Sequence, residues 1–276
     1  MDDGQCRVAR THLSSVTVPS TVATAEVERS LLLTVLIPAH DEGGSITATV
    51  GAIEGVLRGA DVPHEILVVL DHCGDDTEAV LRRQMSEVSS LRIVMNPGAG
   101  GFGFAVRHGL DVYVGDAVVV VMADASDDPR DIVTYYRKLE EGFDCAFGSR
   151  FIPGAAVRNY PWQKLLLNRA ANRLIRMVFR ERYNDFTNAF KCYRRTVIDG
   201  CRPLLSNHFN LTIELPLKAL VRGYSWTVVP TNWYGREAGE SKFLIKEMGS
   251  RYVYIILYAL IEKYFSRGDY RRSSTP

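Results

Sequence analysis

Three aspartates follow a run of apolar residues in the segment VVVVMADASDDP, residues 118–129: they are Asp124, Asp127 and Asp128. A buried strand that stops at several carboxylates brings oxygen ligands to the edge of a sheet. Mg²⁺ and Mn²⁺ prefer oxygen ligands, and they bridge diphosphates at such sites. We expect Asp127 or Asp128 to cap the helix that opens at Pro129. Capping leaves the other acids unexplained, so the segment predicts a divalent metal site at Asp124, Asp127 and Asp128.

A second acidic loop, VVLDHCGDDT, places Asp71 after an earlier apolar run. A carboxylate at a strand end can accept hydrogen bonds from a base or a ribose. Asp75 or Asp76 is expected to cap the next helix. His72 lies beside Asp71, but a lone loop histidine is more often solvated than catalytic. The loop therefore offers Asp71 as a candidate nucleotide contact.

A glycine-rich loop runs into a helix in the segment NPGAGGFGFAVRHG, residues 96–109. Glycines let the backbone approach a phosphate, and a helix N-terminus favours anions. Gly98, Gly100 and Gly103 match the dinucleotide pattern G-x-G-x-x-G, but they follow the third predicted strand instead of the first. The loop predicts either a sugar-nucleotide contact, with Gly103 as the candidate, or a structural turn. A dinucleotide-dependent oxidoreductase is a distant alternative.

Two further loops supply cations: GSR, which ends at Arg150, and REAGESK, residues 236–242. An arginine binds phosphate oxygens through two N–H groups, and Lys242 adds a point charge. Any single arginine is more often a solvated surface charge. A site that holds a nucleotide diphosphate beside a second phosphate nevertheless needs several cations, and these loops would provide them.

Strand-like and helix-like runs alternate between residue 31 and about residue 150, and these elements must position the loops. The predicted strands are 31–37, 65–70, 91–95, 117–122 and 143–147. The predicted helices between them are 45–58, 76–88, 104–114 and 129–141. Such alternation predicts right-handed crossovers and a mostly parallel sheet, in which ligands bind at the carboxyl ends of the strands. The polar loops should therefore meet at one edge.

The second half of the chain contains a basic amphipathic helix at residues 162–180 and a tyrosine-rich helix at 246–265, followed by a basic tail. A helix near 211–221 and a strand at 226–230 lie between them. The two amphipathic helices are predicted either to pack on the core or to lie on an anionic membrane surface. No stretch approaches the roughly 20 apolar residues that cross a bilayer. Residues 1–30 lack the apolar core of a signal peptide and are expected to form a disordered leader.

Composition limits the class of protein. With 276 residues, the chain is long enough for one large α/β domain and an appendage. A formal net charge of +1 argues against a nucleic-acid-binding protein. Five scattered cysteines without a CxxC pair indicate a reducing compartment, so we expect a cytoplasmic protein without disulfides or a zinc site.

Six segments occur in the order found in family-2 glycosyltransferases: TVLIPAHDE, VVLDHCGDDT, VVVVMADASDDP, FGSRF, DFTNAFKCYRR and REAGESKF. The chain resembles most the dolichyl- and polyprenyl-phosphate mannose and glucose synthases. This resemblance implies the glycosyltransferase-A fold, an α/β, Rossmann-like fold with a mostly parallel sheet flanked by helices, here with C-terminal amphipathic helices. It also implies a nucleotide-sugar donor, inverting displacement at the anomeric carbon, and Mg²⁺ or Mn²⁺ as cofactor. Residues 1–30 would be the leader, 31–245 the catalytic domain, and 246–276 the amphipathic helix and basic tail.

The resemblance and the loops together predict the site residues. Contacts with the nucleotide-sugar are expected from Pro38, His40, Glu42, Asp71, Gly103 and Asp124. Catalytic roles are expected for Asp124, Asp127 and Arg150, with Arg150 at the phosphates. The acceptor phosphate is expected at Lys164, Arg236, Ser241 and Lys242. Three residues of the DFTNAF segment resemble the part of the family that closes over the sugar: Asp185, Thr187 and Asn188.

The acidic loop departs from the family's usual pattern, DADLQ-x-P. Alignment on Pro129 places Ala123 and Ala125 where two acids stand in the family, so Asp124 and Asp127 are expected to substitute for them. The predicted activity is transfer of a hexose, with mannose favoured, from GDP-mannose or UDP-glucose to a polyprenyl or dolichyl phosphate. The protein would bind peripherally at the cytoplasmic face of a membrane. Two alternatives are a family-2 glycosyltransferase with a soluble sugar, protein or polysaccharide acceptor, and a catalytically silent nucleotide-sugar-binding protein.

Overall fold

The computed structural model of the chain describes residues 30–235 and 245–272. Nearly all of the predicted leader, residues 1–30, lies outside these ranges. Three of the residues predicted to bind the acceptor phosphate also lie outside them: Arg236, Ser241 and Lys242.

A seven-stranded sheet forms the centre of the fold, and two further short strands form a small separate sheet. The strands are β1 (Leu33–Ala39), β2 (His64–Leu70), β3 (Leu91–Met95), β4 (Ala117–Val120), β5 (Cys145–Ser149), β6 (Val157–Arg158), β7 (Lys191–Arg194), β8 (Trp226–Pro230) and β9 (Trp233–Tyr234). The helices are α1 (Ile46–Gly59), α2 (Thr77–Gln84), α3 (Phe102–Val112), α4 (Pro129–Glu140), α5 (Trp162–Phe179), α6 (Arg195–Gly200), α7 (Leu211–Val221) and α8 (Ile245–Phe265). The large sheet has the order β3-β2-β1-β4-β7-β5-β8, and β6 pairs with β9 in a separate small sheet.

The direction of the strands brings the loops to one edge. All pairs in the large sheet are parallel except those that β7 makes with β4 and β5. The carboxyl ends of the other six strands therefore lie at the same edge, and β7 begins there. The loops after β1, β2, β3, β4, β5 and β8 and the segment before β7 are neighbours at this edge.

Alternating side chains of β1 show why its sequence, LTVLIPA, is apolar except at Thr34. Val35 and Ile37 pack in one hydrophobic cluster with α1, α2 and α4. Leu36 points to the other face and packs in a second cluster, which includes residues of α3, α5, α6, α7 and α8. A strand that is buried on both faces is apolar at nearly every position. The exception, the buried Thr34, donates its hydroxyl hydrogen to Glu65. The predicted fold, a mostly parallel sheet flanked by helices, is confirmed.

The prediction missed β7, the antiparallel strand in the middle of the sheet. Its sequence, KCYR, is short and carries two cations, so it has no apolar pattern to reveal it. Lys191 is nevertheless only 1% exposed, because backbone carbonyls surround its ammonium group. The five strands predicted in the first half are all present, with bounds shifted by at most two residues.

The C-terminal helix α8 packs on the domain. Ile255 and Ala259 belong to the second hydrophobic cluster. Glu262 forms a buried ion pair with Arg222 at the end of α7, with an Nε–Oε1 distance of 2.7 Å. Among the described residues, none of the helices has the length and apolar character to cross a membrane.

Candidate active site

In the acidic loop between β4 and α4, Asp128 is the residue that caps the helix. Its carboxylate accepts the backbone N–H of Arg130 at 3.0 Å and pairs with the Arg130 guanidinium at 2.6 Å. The side-chain hydrogen bonds from Arg130 are the main reason that the pKa of Asp128 is lowered. The expected cap is confirmed, and Arg130 engages both carboxylate oxygens of Asp128.

Asp127, the preceding residue, is in a different environment. It is 8% exposed, and its carboxylate accepts the backbone N–H of Met122 at 3.2 Å. The pKa of Asp127 is raised to about 7, mainly by burial and also by the charge of Asp124, while Arg150 opposes the rise. A buried carboxylate of this kind is stabilised in its charged form when a cation binds beside it.

Asp124 lies at a tight turn in the same loop and is half-buried. Its Oδ1 atom accepts the backbone N–H of Ser126 at 3.2 Å. Between these two residues, Ala125 has a φ of 57°, which lies in the left-handed region that alanine seldom occupies. The turn holds the carboxylate of Asp124 at the edge of the sheet next to Asp127.

The three acids of this loop differ in their partners: Asp128 pairs with Arg130, whereas Asp124 and Asp127 accept backbone N–H groups. Within residues 30–235 and 245–272, the three carboxylates of this loop do not bring their oxygens within 4.8 Å of one another. Mg²⁺ is commonly held by one or two carboxylates together with substrate phosphates and water. Two carboxylates such as those of Asp124 and Asp127 would be enough for such a site, and the metal ligands stay a prediction.

A different trio does bring its ligand atoms within 4.8 Å of one another: Asp41, Cys73 and Asp75. Backbone N–H groups already engage both carboxylates. Gly74 donates to Asp41 at 2.7 Å, and Thr77 donates to Asp75 at 3.0 Å. This arrangement connects the loop after β1 to the loop after β2 and is explained by those donors.

Asp71 links the second loop to the glycine-rich loop. It is 6% exposed, and both of its carboxylate oxygens accept hydrogen bonds. Asn96 donates to Oδ1 at 2.7 Å, and the backbone N–H of Gly101 donates to Oδ2 at 2.7 Å. Asp71 thus fixes the position of the loop that leads into α3, and its predicted contact with a nucleotide remains a prediction.

The loop after β1 contacts the loop that follows β2. The Nδ1 atom of His40 lies 2.6 Å from the backbone oxygen of Asp71, and the His40 ring is partly exposed. The backbone N–H of Glu42 donates to the Thr77 hydroxyl at 2.9 Å. Pro38 is buried in β1, so it shapes the end of the strand. The structure brings His40 to Asp71 and Glu42 to Thr77, and the contact of His40, Glu42 and Asp71 with a nucleotide remains a prediction.

Gly103 lies in the first turn of α3, where another segment leaves no room for a side chain. A Cβ atom at this position would lie 2.3 Å from the backbone carbon of Asn207 and 2.5 Å from the nitrogen of His208. Phe102 stacks on Phe209 of the same segment, with ring centroids 4.3 Å apart. Close packing therefore accounts for the glycine, and its contact with a nucleotide-sugar stays a prediction.

Arg150, at the end of β5, forms a buried ion pair with Asp185. The guanidinium donates to the two carboxylate oxygens at 2.8 Å each, and the backbone N–H of Arg150 adds a third bond at 3.0 Å. Arg150 also donates to the Thr187 hydroxyl at 3.4 Å. One face of the guanidinium is near the Tyr160 ring, 5.9 Å from its centroid. The pair connects two predicted loops, and its predicted role at the phosphates remains a prediction.

Two residues that sequence reasoning did not single out hold the segment with Asp185 in place. Lys191 donates to the carbonyls of Phe186 at 3.0 Å and Thr212 at 3.3 Å, and also to that of Asn188. Asn172, on the buried side of α5, contacts Thr187. The sequence offers little signal for either, because lysine and asparagine side chains are usually exposed.

The small sheet of β6 and β9 covers the acidic loop. The backbone N–H of Tyr234 donates to the carbonyl of Ser126 at 3.1 Å, and Trp233 forms an antiparallel bridge with Asp127. The Trp233 ring packs against Tyr160, with centroids 4.9 Å apart. Strand β9 therefore lies directly beside the acidic loop.

Lys164 lies on the first turns of α5, where it is exposed. Ion-pair and hydrogen-bond contacts of α5 with α8 are found at the other end of the helix, where Lys263 donates to Glu181 at 3.0 Å and Tyr264 donates to the carbonyl of Val178 at 3.3 Å. The predicted contact of Lys164 with an acceptor phosphate remains a prediction.

An open α/β sheet with polar loops at the carboxyl ends of its strands defines a class of proteins that bind nucleotides at that edge. Residues 34–201 match the model of the family described as Glycosyl transferase family 2. The chain belongs to this family and is a glycosyltransferase, which confirms the family and the enzyme class predicted from the sequence.

Two curated relatives support the assignment. A polyprenol monophosphomannose synthase of Mycolicibacterium smegmatis is 30% identical over 214 residues, which cover 75% of this chain and 79% of the relative. A dolichol-phosphate mannosyltransferase of Pyrococcus furiosus is 28% identical over 213 residues, which cover 76% of this chain but 58% of the longer relative.

Solved structures support the fold. A glucosyl-3-phosphoglycerate synthase of Mycobacterium tuberculosis, in complex with Mn²⁺, UDP and phosphoglyceric acid, has a TM-score of 0.63 and 18% identity, covering 83% of this chain and 78% of that one. Its complex with Mg²⁺ and UDP has a TM-score of 0.59 and 17% identity, covering 84% and 79%. At this identity the likeness concerns the fold alone.

Proposed function

We propose that this enzyme transfers mannose, with inversion, from GDP-mannose to a polyprenyl phosphate. The observation that carries the proposal is the acidic loop, which holds Asp124 and Asp127 at the carboxyl edge of the sheet beside β9. Of the two relatives described above, the one with the higher sequence identity is a polyprenol monophosphomannose synthase, which favours this donor and acceptor.

The chemistry of the acceptor suits these residues. A phosphate oxygen of the lipid is already an anion, so it can attack the anomeric carbon without a strong general base. The bond between that carbon and the diphosphate oxygen breaks, and the electron pair leaves with the diphosphate. A divalent cation bound by Asp124 and Asp127 would stabilise the developing charge of the leaving diphosphate. The protein contributes positioning, for which the Arg150–Asp185 pair provides a rigid anchor.

A surface formed by α5 and α8 favours a lipid acceptor. Trp162 on α5 and Phe265 on α8 are 71% and 78% exposed. Further apolar residues on the same two helices are exposed: Leu166, Leu167, Leu174, Met177, Val253, Tyr254, Leu257, Ile261 and Tyr264. Exposed cations accompany them on α5: Lys164, Arg169, Arg173 and Arg176. Apolar and aromatic residues beside cations are typical of helices that lie in the interface of an anionic membrane.

The donor and the acceptor are tested by a screen of purified protein with Mn²⁺. GDP-mannose and UDP-glucose, each radiolabelled, are offered with polyprenyl phosphate in vesicles or with phosphoglyceric acid in solution. We expect labelled lipid from GDP-mannose and polyprenyl phosphate. Labelled phosphoglyceric acid without labelled lipid would replace the proposal with a soluble acceptor, and absence of transfer from both donors would contradict it.

Membrane contact is tested by flotation with vesicles that contain anionic lipid. The variant Leu166→Glu combined with Met177→Glu should abolish flotation of the protein, because two carboxylates would have to enter the interface. Met85→Glu is the matched control, since Met85 is an exposed apolar residue at the end of α2, outside this surface. Flotation of the Leu166→Glu/Met177→Glu variant to the same extent as Met85→Glu and the unaltered protein would contradict the membrane surface.

A further inference from the structure

Helix α5 meets the rest of the protein through few buried residues, and one of them is polar. The buried residues of α5 are Asn172, Ile175 and Phe179. Ile175 and Phe179 join the hydrophobic core, which anchors the second half of the helix. Asn172 is 2% exposed, and its amide points to the segment that carries Asp185. A buried amide at this position needs hydrogen-bond partners that are fixed in space.

The amide of Asn172 is held in one orientation. Its Nδ2 atom donates to the Thr187 hydroxyl at 3.0 Å and to the carbonyl of Asn168 at 3.0 Å. The backbone N–H of Thr187 donates to its oxygen, Oδ1, at 3.4 Å. Because a backbone N–H is only a donor, the oxygen of the amide must face Thr187.

The Thr187 hydroxyl lies between this amide and Arg150. It donates to Oδ1 of Asn168 at 2.7 Å, so its lone pairs are left for the N–H groups of Asn172 and Arg150. Arg150 in turn holds Asp185 through two hydrogen bonds. In the part of the chain that the structure describes, no hydrogen bond joins Asn172 to the acidic loop or to the Arg150–Asp185 pair. Its contact with the pair is indirect, through the Thr187 hydroxyl, which lies between the Asn172 amide and the Arg150 guanidinium.

We propose that Asn172 is a positioning residue, which acts through Thr187 to place the Arg150–Asp185 pair for sugar transfer. The proposal rests on the proposed function. Its consequence is that α5, the helix whose outer face carries the exposed apolar surface, and the site segment form one hydrogen-bonded unit. Asn168, one turn before Asn172, completes the unit from the same helix.

The test compares Asn172→Ala with Thr187→Val and Thr187→Ser in the mannose-transfer assay. Asn172→Ala should lower kcat by about tenfold to a hundredfold, the size of effect that a misplacement near 1 Å produces. The KM for GDP-mannose should stay within about twofold, because Asn172 does not contact the donor. Thr187→Ser keeps the hydroxyl and should retain activity, whereas Thr187→Val should match Asn172→Ala. The double variant should lose no more than Thr187→Val alone, since both changes break the same connection.

A second measurement does not depend on turnover. Amide hydrogen exchange of residues 185–190, without substrates, should be faster in Asn172→Ala than in the unaltered protein. Ser90→Ala is the matched control, because it removes one hydrogen bond, to Glu54, at the opposite edge of the sheet. If the unaltered protein transfers no sugar, the proposed function fails, and the exchange rates then test only whether Asn172 holds the segment of Asp185 in place. Unchanged exchange in Asn172→Ala, unchanged kcat, or equal loss in Thr187→Ser and Thr187→Val would overturn it.

Discussion

Asp71 and Asp127 each follow a buried parallel strand, and they are 6% and 8% exposed. Their partners differ. Two donors, Asn96 and Gly101, satisfy both oxygens of Asp71, whereas Met122 donates one hydrogen bond to Asp127. The pKa of Asp127 is raised to about 7 by burial. Equal burial therefore accompanies two roles: Asp71 holds a loop in place, and Asp127 offers a charge that a cation would stabilise.

The largest expected effect concerns the proposed cation site at Asp124 and Asp127. Asp124→Ala and Asp127→Asn should each reduce sugar transfer by about a hundredfold to a thousandfold, because the diphosphate would leave without a neighbouring cation. Initial rates at saturating Mn²⁺ measure the loss. Both variants should keep their circular dichroism spectra. Rates within a few fold of the unaltered enzyme would remove these two residues from the metal site.

The next effect concerns the loop held by Asp71. Asp71→Ala should reduce the free energy of unfolding by about 2 to 4 kcal/mol, because Asn96 and Gly101 lose a charged acceptor. Urea unfolding measures this loss. Asp71→Asn keeps one acceptor oxygen and should lose less. Equal stability of Asp71→Ala and the unaltered protein would mean that the loop does not depend on this carboxylate.

The pH dependence of stability separates Asp127 from Asp128. The raised pKa of Asp127 means that the folded protein holds an extra proton between pH 3.8 and about 7, so this residue lowers the free energy of unfolding as pH rises through that window. In EDTA, Asp127→Asn should be more stable than the unaltered protein above pH 7, by about 3 to 4 kcal/mol at most, and similar to it near pH 4.

Asp128 has a lowered pKa and stabilises the fold once it is ionised. Asp128→Asn should therefore be less stable at neutral pH, with the difference vanishing in acid. Unfolding curves at several pH values test both signs, and a shared sign would contradict the comparison.

The smallest expected effect tests whether Asp128 is one of the metal ligands. Asp128→Ala removes a helix cap and should reduce the free energy of unfolding by about 1 kcal/mol. Sugar transfer should stay within about threefold, because Arg130 already occupies this carboxylate. A loss of transfer as large as that of Asp127→Asn would restore Asp128 to the metal site.

The sequence predicted the parts of the molecule whose physics is local. Apolar runs such as 117–122 become strands because both faces of the sheet are covered, and a helix that opens at Pro129 needs a cap from the residue before it. The antiparallel strand β7 and the partners of Arg150 depend on distant residues. Arg150 and Asp185 are 35 positions apart, and no spacing rule connects them. The same holds for Gly103, because the backbone of Asn207, which is distant in sequence, leaves no room for a side chain at this position.

The central claim, that Asp124 and Asp127 hold a divalent cation at the donor diphosphate, is tested most directly by electron paramagnetic resonance of Mn²⁺. Free Mn²⁺ is titrated with protein in the presence of GDP. The unaltered protein and Asp128→Ala should bind Mn²⁺ with similar affinity, and Asp127→Asn should bind it at least about tenfold more weakly, a loss of about 1.4 kcal/mol. Equal binding of Mn²⁺ by Asp127→Asn and the unaltered protein would contradict the claim.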